Sequence, residues 1–87
     1  MGLGMAGKKR RISKSSRSWS VLNYAVCEPN EWTARLIAED LGDRPNRITA
    51  VVKLLVDKGY VVRDAPIGQG RALLPTPAGV EALNTAV

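Results

Sequence analysis

The sequence has 87 residues, with 13 Lys and Arg residues against 8 Asp and Glu residues and a formal net charge of +5. This length accommodates one small domain. Histidine is absent, and a single cysteine, Cys27, excludes an intramolecular disulfide. The common histidine-based catalytic and zinc sites are excluded as well. We therefore expect no enzymatic activity, no cofactor and no metal site, and a cytoplasmic location, because no apolar run approaches the roughly 20 residues of a membrane span.

The positive charge is concentrated at the N terminus. Residues 1–17 contain six basic residues and no acidic residue, whereas the other 70 residues carry seven basic and eight acidic side chains. Gly and Ser dominate the rest of this segment, so it has little apolar surface to offset the entropy lost on ordering. We predict a disordered basic arm over residues 1–17 and a folded domain over residues 18–87. The arm suits nucleic-acid phosphates; a solubilising or vector-derived leader is the alternative.

The first helix is predicted over about residues 18–27. Apolar residues recur there at helical spacing from Trp19 to Val26. Pro29 ends the helix, because the residue before a proline is pushed out of the helical region. We assign the aromatic residues of the chain to core packing rather than to base stacking. Cys27 is expected to be a small buried residue.

A shorter second helix follows. Thr33 is a suitable N-cap, and Gly42 suits the left-handed conformation that ends many helices. The apolar positions between them are Leu36, Ile37 and Leu41.

The third helix has a well-defined apolar stripe. Asp43 is expected to cap it, and Pro45 lies in its first turn, where a missing N–H costs nothing. The helix is predicted to continue to Lys58, where Gly59 ends it. The residues of the stripe are Ile48, Val51, Val52 and Leu55.

Two short strands and a last helix complete the chain. Residues 60–62 and 72–74 have the composition of strands, and residues 64–71 between them are predicted to form a mobile loop. Thr76, followed by a proline, opens a last helix that continues through Leu83. Two helices joined by a glycine turn and followed by a hairpin predict a winged helix-turn-helix, a mainly α fold with a small β-hairpin.

Three motifs occur in order between residues 32 and 82. Residues 37–42 read Ile-Ala-Glu-Asp-Leu-Gly, residues 55–63 read Leu-Val-Asp-Lys-Gly-Tyr-Val-Val-Arg, and residues 74–79 read Leu-Pro-Thr-Pro-Ala-Gly. In this order they resemble the motifs of small winged helix-turn-helix regulators of prokaryotic or viral origin, especially MarR-like and PadR-like proteins. Two departures are visible. The last motif has one additional residue, and no acidic residue stands two positions before Arg71, where the MarR-like wing usually has one.

The resemblance implies sequence-specific binding of double-stranded DNA, most simply by a transcriptional regulator. A recognition helix at about residues 44–58 would enter the major groove. The wing, at about residues 64–71, and the basic arm would contact the backbone or the minor groove. For each assigned side chain an ordinary solvated surface is the alternative. The residues assigned to DNA binding are Arg44, Asn46, Arg47, Thr49, Ala50, Lys53, Arg63, Gln69 and Arg71 in the body, and Lys8, Lys9, Arg10 and Arg11 in the arm.

The same pattern leaves a second function open. Residues 18–87 are nearly neutral, which keeps a winged helix used as a protein-interaction module in a larger assembly as the alternative. MarR-like chains are longer and carry terminal helices that build a dimer, so a homodimer also stays open here. We expect no small-molecule ligand, because about 70 ordered residues leave little room for a cavity of several hundred Å3 beside the core.

Overall fold

The computed structural model describes residues 12–67 and 70–87. Three helices are followed by two strands, which pair as one antiparallel hairpin, and by a last helix. This order is that of a winged helix-turn-helix, as the sequence predicts. Within the described ranges no helix is long and apolar enough to cross a membrane. The elements in chain order are α1 (Arg17–Cys27), α2 (Ala34–Leu41), α3 (Pro45–Asp57), β1 (Val61–Ile67), β2 (Gly70–Pro75) and α4 (Pro77–Asn84).

The core lies where the first three helices meet the hairpin. It is aliphatic throughout, and Tyr24, Trp32 and Tyr60 pack against its edge, which confirms their assignment to packing. Val51, the fourth residue of the predicted α3 stripe, is only partly buried. The buried residues of the core cluster are Val21, Leu22, Ala25, Ile37, Ala38, Ile48, Val52, Leu55, Val61 and Leu73.

The ends of α1 and α2 follow their capping residues. The Ser16 hydroxyl accepts a hydrogen bond from the N–H of Trp19, and the Thr33 hydroxyl accepts one from the N–H of Leu36, both at 3.2 Å. Gly42 ends α2 in the left-handed conformation with φ 70°, which costs a glycine nothing because it has no Cβ. The chain therefore turns sharply enough to place α3 against α2.

Asp43 is not the N-cap of α3, contrary to the sequence-based prediction. The N-cap position is Arg44, which makes no side-chain capping bond. The Asp43 Oδ1 atom instead accepts a hydrogen bond from the N–H of Arg44 at 2.7 Å. Pro45 explains the shift, because it takes the first helical position and has no N–H that requires a cap.

The ordered domain begins before the predicted boundary between residues 17 and 18. Ile12 packs against the core, and its carbonyl accepts a hydrogen bond from the N–H of Val87 at 2.9 Å. The N–H of Lys14 donates to the Val87 carbonyl at 2.7 Å. These pairings could not be predicted from the composition of residues 1–17, because their partner, Val87, is distant in sequence. Residues 1–11, and with them Lys8, Lys9, Arg10 and Arg11, lie outside the described residues, so the arm stays a prediction.

The hairpin is longer than predicted. Residues 64–67 and 70–71, expected in a loop, belong to the strands, with Pro66 opposite Arg71 and Ile67 opposite Gly70. The register is irregular between Arg63 and Pro66. A proline fits here because β1 has a strand on one side only, so a missing N–H need not interrupt the ladder.

Thr76 fastens α4 to the end of α3. Its hydroxyl accepts a hydrogen bond from the N–H of Gly79 at 3.0 Å and donates one to the Gly59 carbonyl at 2.5 Å. A Cβ atom at Gly79 would lie 2.0 Å from the Tyr60 carbonyl oxygen. Glycine is therefore required for this close approach, which explains why the Thr-Pro-Ala-Gly motif ends as it does.

An aromatic pair joins α1 to the start of α2. The rings of Tyr24 and Trp32 pack edge to face with centroids 4.6 Å apart. Trp32 Nε1 donates to Glu28 Oε1 at 2.7 Å, and the Tyr24 hydroxyl donates to Asp40 Oδ2. This hydrogen bond, together with burial and the charge of Asp40, raises the pKa of Tyr24 to about 12.

Cys27 is exposed, so the prediction of a buried thiol was wrong. It is the last residue of α1, and its thiol donates to the Asn23 side-chain oxygen at 3.2 Å. The α1 stripe that is buried consists of Val21, Leu22 and Ala25.

We expect Leu55→Ala to lower the free energy of unfolding by about 2–5 kcal/mol, because it leaves a cavity in the core. Leu54→Ala is the matched control, since the neighbouring side chain of the same helix is 46% exposed. Its effect should stay within about 0.5 kcal/mol. Chemical denaturation of both variants measures the difference, and equal losses would contradict the assigned core face.

Tyr24 should make stability depend on alkaline pH. Its pKa is raised from 10 to about 12 in the folded protein, so the protonated hydroxyl stabilises the fold fully below pH 10. This contribution is lost as the pH rises from about 10 to about 12. We expect Tyr24→Phe to show a shallower decline across this window than the wild type, measured by urea denaturation at a series of pH values. Tyr60→Phe is the control, and identical profiles for Tyr24→Phe and the wild type would refute the coupling.

Candidate nucleic-acid interface

The polar side of α3 is free of the core. Ile48, Val52 and Leu55 are buried on one side of the helix, and helical spacing places the polar residues largely opposite them. Arg47 keeps 65% of its side-chain surface exposed. The six residues of this segment assigned from the sequence are all exposed, namely Arg44, Asn46, Arg47, Thr49, Ala50 and Lys53. We call this set the recognition face.

An acidic residue lies at the start of the recognition face. The Asp43 Oδ2 atom lies 3.0 Å from Arg17 Nε and 3.8 Å from Arg47 Nε. The Asp43 side chain is only 11% exposed, whereas that of Arg17 is 37% exposed. One carboxylate therefore holds the first residue of α1 and the first turn of α3 together.

A shallow concave surface of about 250 Å3 lies between the start of α2, the middle of α3 and the hairpin. Three of the residues that line it are arginines, namely Arg35, Arg63 and Arg71. Thr49 lines it on the α3 side. A concentration of guanidinium groups in a concave surface favours a bound anion such as a phosphate. We call this feature the arginine groove.

Backbone contacts explain why the hairpin lies beside α2. The N–H of Leu73 donates to the Trp32 carbonyl at 2.8 Å, and the N–H of Asn30 donates to the Leu73 carbonyl at 2.9 Å. A Cβ atom at Gly70 would lie 3.1 Å from Thr33 Cβ. The wing is thus fastened to the segment that precedes α2, which brings Arg35 and the wing arginines to one surface.

The wing arginines differ in how they are held. Arg71 Nε donates to the Asp64 carbonyl across the hairpin at 3.1 Å. This backbone bond holds Arg71 although no acidic side chain stands two positions before it. Arg63 is exposed on the paired strand. Gln69, assigned to the wing tip, lies outside the described residues.

Sequence reasoning missed Arg35. It lies in the first turn of α2, and its Nε is 3.5 Å from Glu39 Oε2, with both side chains well exposed. A signal was present in the sequence, because the first turn of a helix disfavours a cation through the helix dipole. A basic residue there is therefore unusual, and within α2 its partner is Glu39. Among residues 12–67 and 70–87, no cluster of His, Cys, Asp and Glu could hold a metal ion.

The helix-turn-helix, the wing and these two basic surfaces define a winged-helix protein of the kind found in transcriptional regulators. No family model matches the sequence, and no curated protein matches it. Solved structures do match. A MarR-family transcriptional regulator from Rhodococcus sp. RHA1 is 28% identical with a TM-score of 0.70, over 78% of this chain and 49% of that chain. The PcaV transcriptional regulator from Streptomyces coelicolor, in complex with its natural ligand, is 30% identical with a TM-score of 0.67, over 80% and 50% of the two chains.

The chain is therefore similar in structure to MarR-family winged-helix regulators, which confirms the resemblance seen in the motifs. These structures are of transcriptional regulators, not of enzymes. MepR from Staphylococcus aureus, in a complex with DNA, has the same fold with a TM-score of 0.69 over 79% of this chain and 51% of that chain. At 15% identity it bears on the fold alone. The chain spans about half the length of the regulators that it matches.

Proposed function

We propose that this protein binds double-stranded DNA sequence-specifically and acts as a transcriptional regulator, associated with the nucleoid when bound. The observation that carries the proposal is the recognition face of α3, exposed beside the arginine groove. The likeness to MarR-family regulators supports it. Of the matched folds, MepR is in a complex with DNA.

In this proposal α3 lies in the major groove, whose width of about 12 Å admits one helix. Arg47 and Asn46 have the fork and amide groups that pair with guanine and adenine edges. Thr49 or Ala50 meets a thymine methyl group. Arg44 and Lys53 contribute positive charge at the start and middle of the same face.

The wing and the arm supply contacts that carry no direct sequence information. A phosphate of the same duplex would occupy the arginine groove, where Arg35, Arg63 and Arg71 neutralise it. Gln69 stays a predicted contact of the wing with the backbone or the minor groove. Lys8, Lys9, Arg10 and Arg11 would follow the backbone or the adjacent minor groove.

The alternative function is a protein-interaction module in a larger assembly. The near-neutral charge of residues 18–87 favours it, since a surface that binds only DNA is usually strongly basic. A homodimer is a separate proposal. The matched regulators are about twice as long as this chain, so their assembly does not carry over to it. If the chain dimerises, two half-sites about one helical turn apart are expected. PcaV binds a natural ligand, so the absence of a small-molecule ligand here also stays a prediction.

Binding to duplex DNA should weaken steeply as salt rises, and deletion of residues 1–11 should flatten this dependence. The log-log slope should change by about 0.9 for each phosphate that the shortened protein no longer neutralises. Residues 12–17 are kept, because they are part of the ordered domain. A chain of full length with Gln at positions 8–11 separates charge from length. Fluorescence anisotropy at several salt concentrations measures the slopes, and an unchanged slope in both variants would leave the arm without a role in binding.

Two arginine variants should affect binding differently. Arg47→Ala should cost about 1–3 kcal/mol on the preferred duplex and relax preference at one base position. Arg71→Ala should weaken preferred and scrambled duplexes alike. Lys58→Ala, at the other end of the recognition helix, is the exposed control. The preferred duplex is obtained by selection from random sequences at one fixed salt concentration. If Arg47→Ala changes neither duplex, the protein-interaction function becomes the better hypothesis.

A further inference from the structure

We propose that Asp43 is a positioning residue that determines specificity by holding Arg47 for base readout and away from the phosphates. The inference rests on the proposed DNA-binding function. It assigns a role to the only acidic side chain that contacts the recognition face among the ion pairs of the described residues.

The geometry gives Asp43 three attachments. Its Oδ1 accepts the N–H of Arg44 at 2.7 Å, which fixes the carboxylate relative to the backbone at the start of α3. Its Oδ2 lies 3.0 Å from the Nε of Arg17 and 3.8 Å from the Nε of Arg47. The carboxylate is therefore held by the start of α1 and by the start of α3, independently of Arg47.

Oδ2 retains the capacity to hold Arg47 more closely. Neither it nor Arg17 Nε has a hydrogen-bond partner among the described residues, although both atoms are buried. The 3.0 Å contact between them is thus an ion pair without a well-directed hydrogen bond. Oδ2 can accept the Arg47 Nε–H when the side chain moves by less than about 1 Å, roughly the step from an ion-pair to a hydrogen-bond distance.

A guanidinium held through Nε keeps its two terminal amino groups free. These groups form the fork that reads the two acceptors of guanine. The same carboxylate repels a nearby phosphate, which is the competing ligand for Arg47. Asp43 therefore favours the base edge over the backbone in two ways, by orientation and by charge.

The test is Asp43→Asn, which retains an oxygen for the N–H of Arg44 and removes the charge. The preference for the selected duplex over a scrambled one should fall by about two- to tenfold, the equivalent of immobilising one flexible side chain. The log-log salt slope should become steeper by about 0.9, because the released Arg47 neutralises one more phosphate. Asp57→Asn is the matched control, since it makes the same charge change at the far end of α3 on an exposed residue.

A double-mutant cycle separates positioning from a merely structural role. In an Arg47→Ala background, Asp43→Asn should leave the preference for the selected duplex unchanged, because the residue acts on that preference through Arg47. Equal weakening on both duplexes in both backgrounds would overturn the inference. Asp43→Ser, which also removes the charge and keeps a side-chain oxygen, repeats the test if the asparagine variant does not fold.

The proposed function and the role of Asp43 fail differently. If the wild type shows no salt-dependent binding to duplex DNA, both fall. If the wild type prefers its selected duplex and Asp43→Asn keeps that preference and slope, only the role of Asp43 falls.

Discussion

The structure depends on the burial of one narrow side of α3. Ile48, Val52 and Leu55 lie against the rest of the core, and they occupy only one side of the helix. The remaining surface is then available for polar residues without any loss of core. A helix buried more deeply would have had to place apolar residues where Asn46 and Lys53 stand.

The turn between α2 and α3 makes this burial compatible with a short chain. Gly42 reverses direction in the left-handed conformation, and Pro45 starts the next helix two residues after Asp43. The ion pairs of Asp43 with Arg17 and Arg47 then tie α1 to the same turn. The Arg47 side chain is largely exposed, so its pair with Asp43 contributes little to stability, and the role proposed for this pair is to position Arg47.

The wing is held by a different kind of interaction. Backbone hydrogen bonds between Leu73 and residues 30 and 32 fasten β2 to the segment before α2, and Thr76 fastens α4 to Gly59. The bonds of Leu73 use no particular side chain in the strand. They bring Arg35 and Arg71 to one groove although the two residues are 36 positions apart.

Much of the local structure could be predicted from the sequence, because it depends on interactions within a few residues. The caps at Thr33 and Thr76, the left-handed Gly42 and the stripe of α3 are of this kind, and so are the motifs that resemble MarR-like regulators. Several features that the sequence did not predict depend on partners distant in sequence. Ile12 is ordered by Val87, Arg71 is held by the Asp64 carbonyl, and the acid expected to cap α3 pairs with Arg17. The sequence by itself determined the apolar side of α3, the start of α2 and α4 and the end of α2, since these follow from local sterics and periodicity. Only the tertiary structure decided which charges meet, because the arginine groove and the Asp43 cluster are assembled from elements that become neighbours only when the core closes.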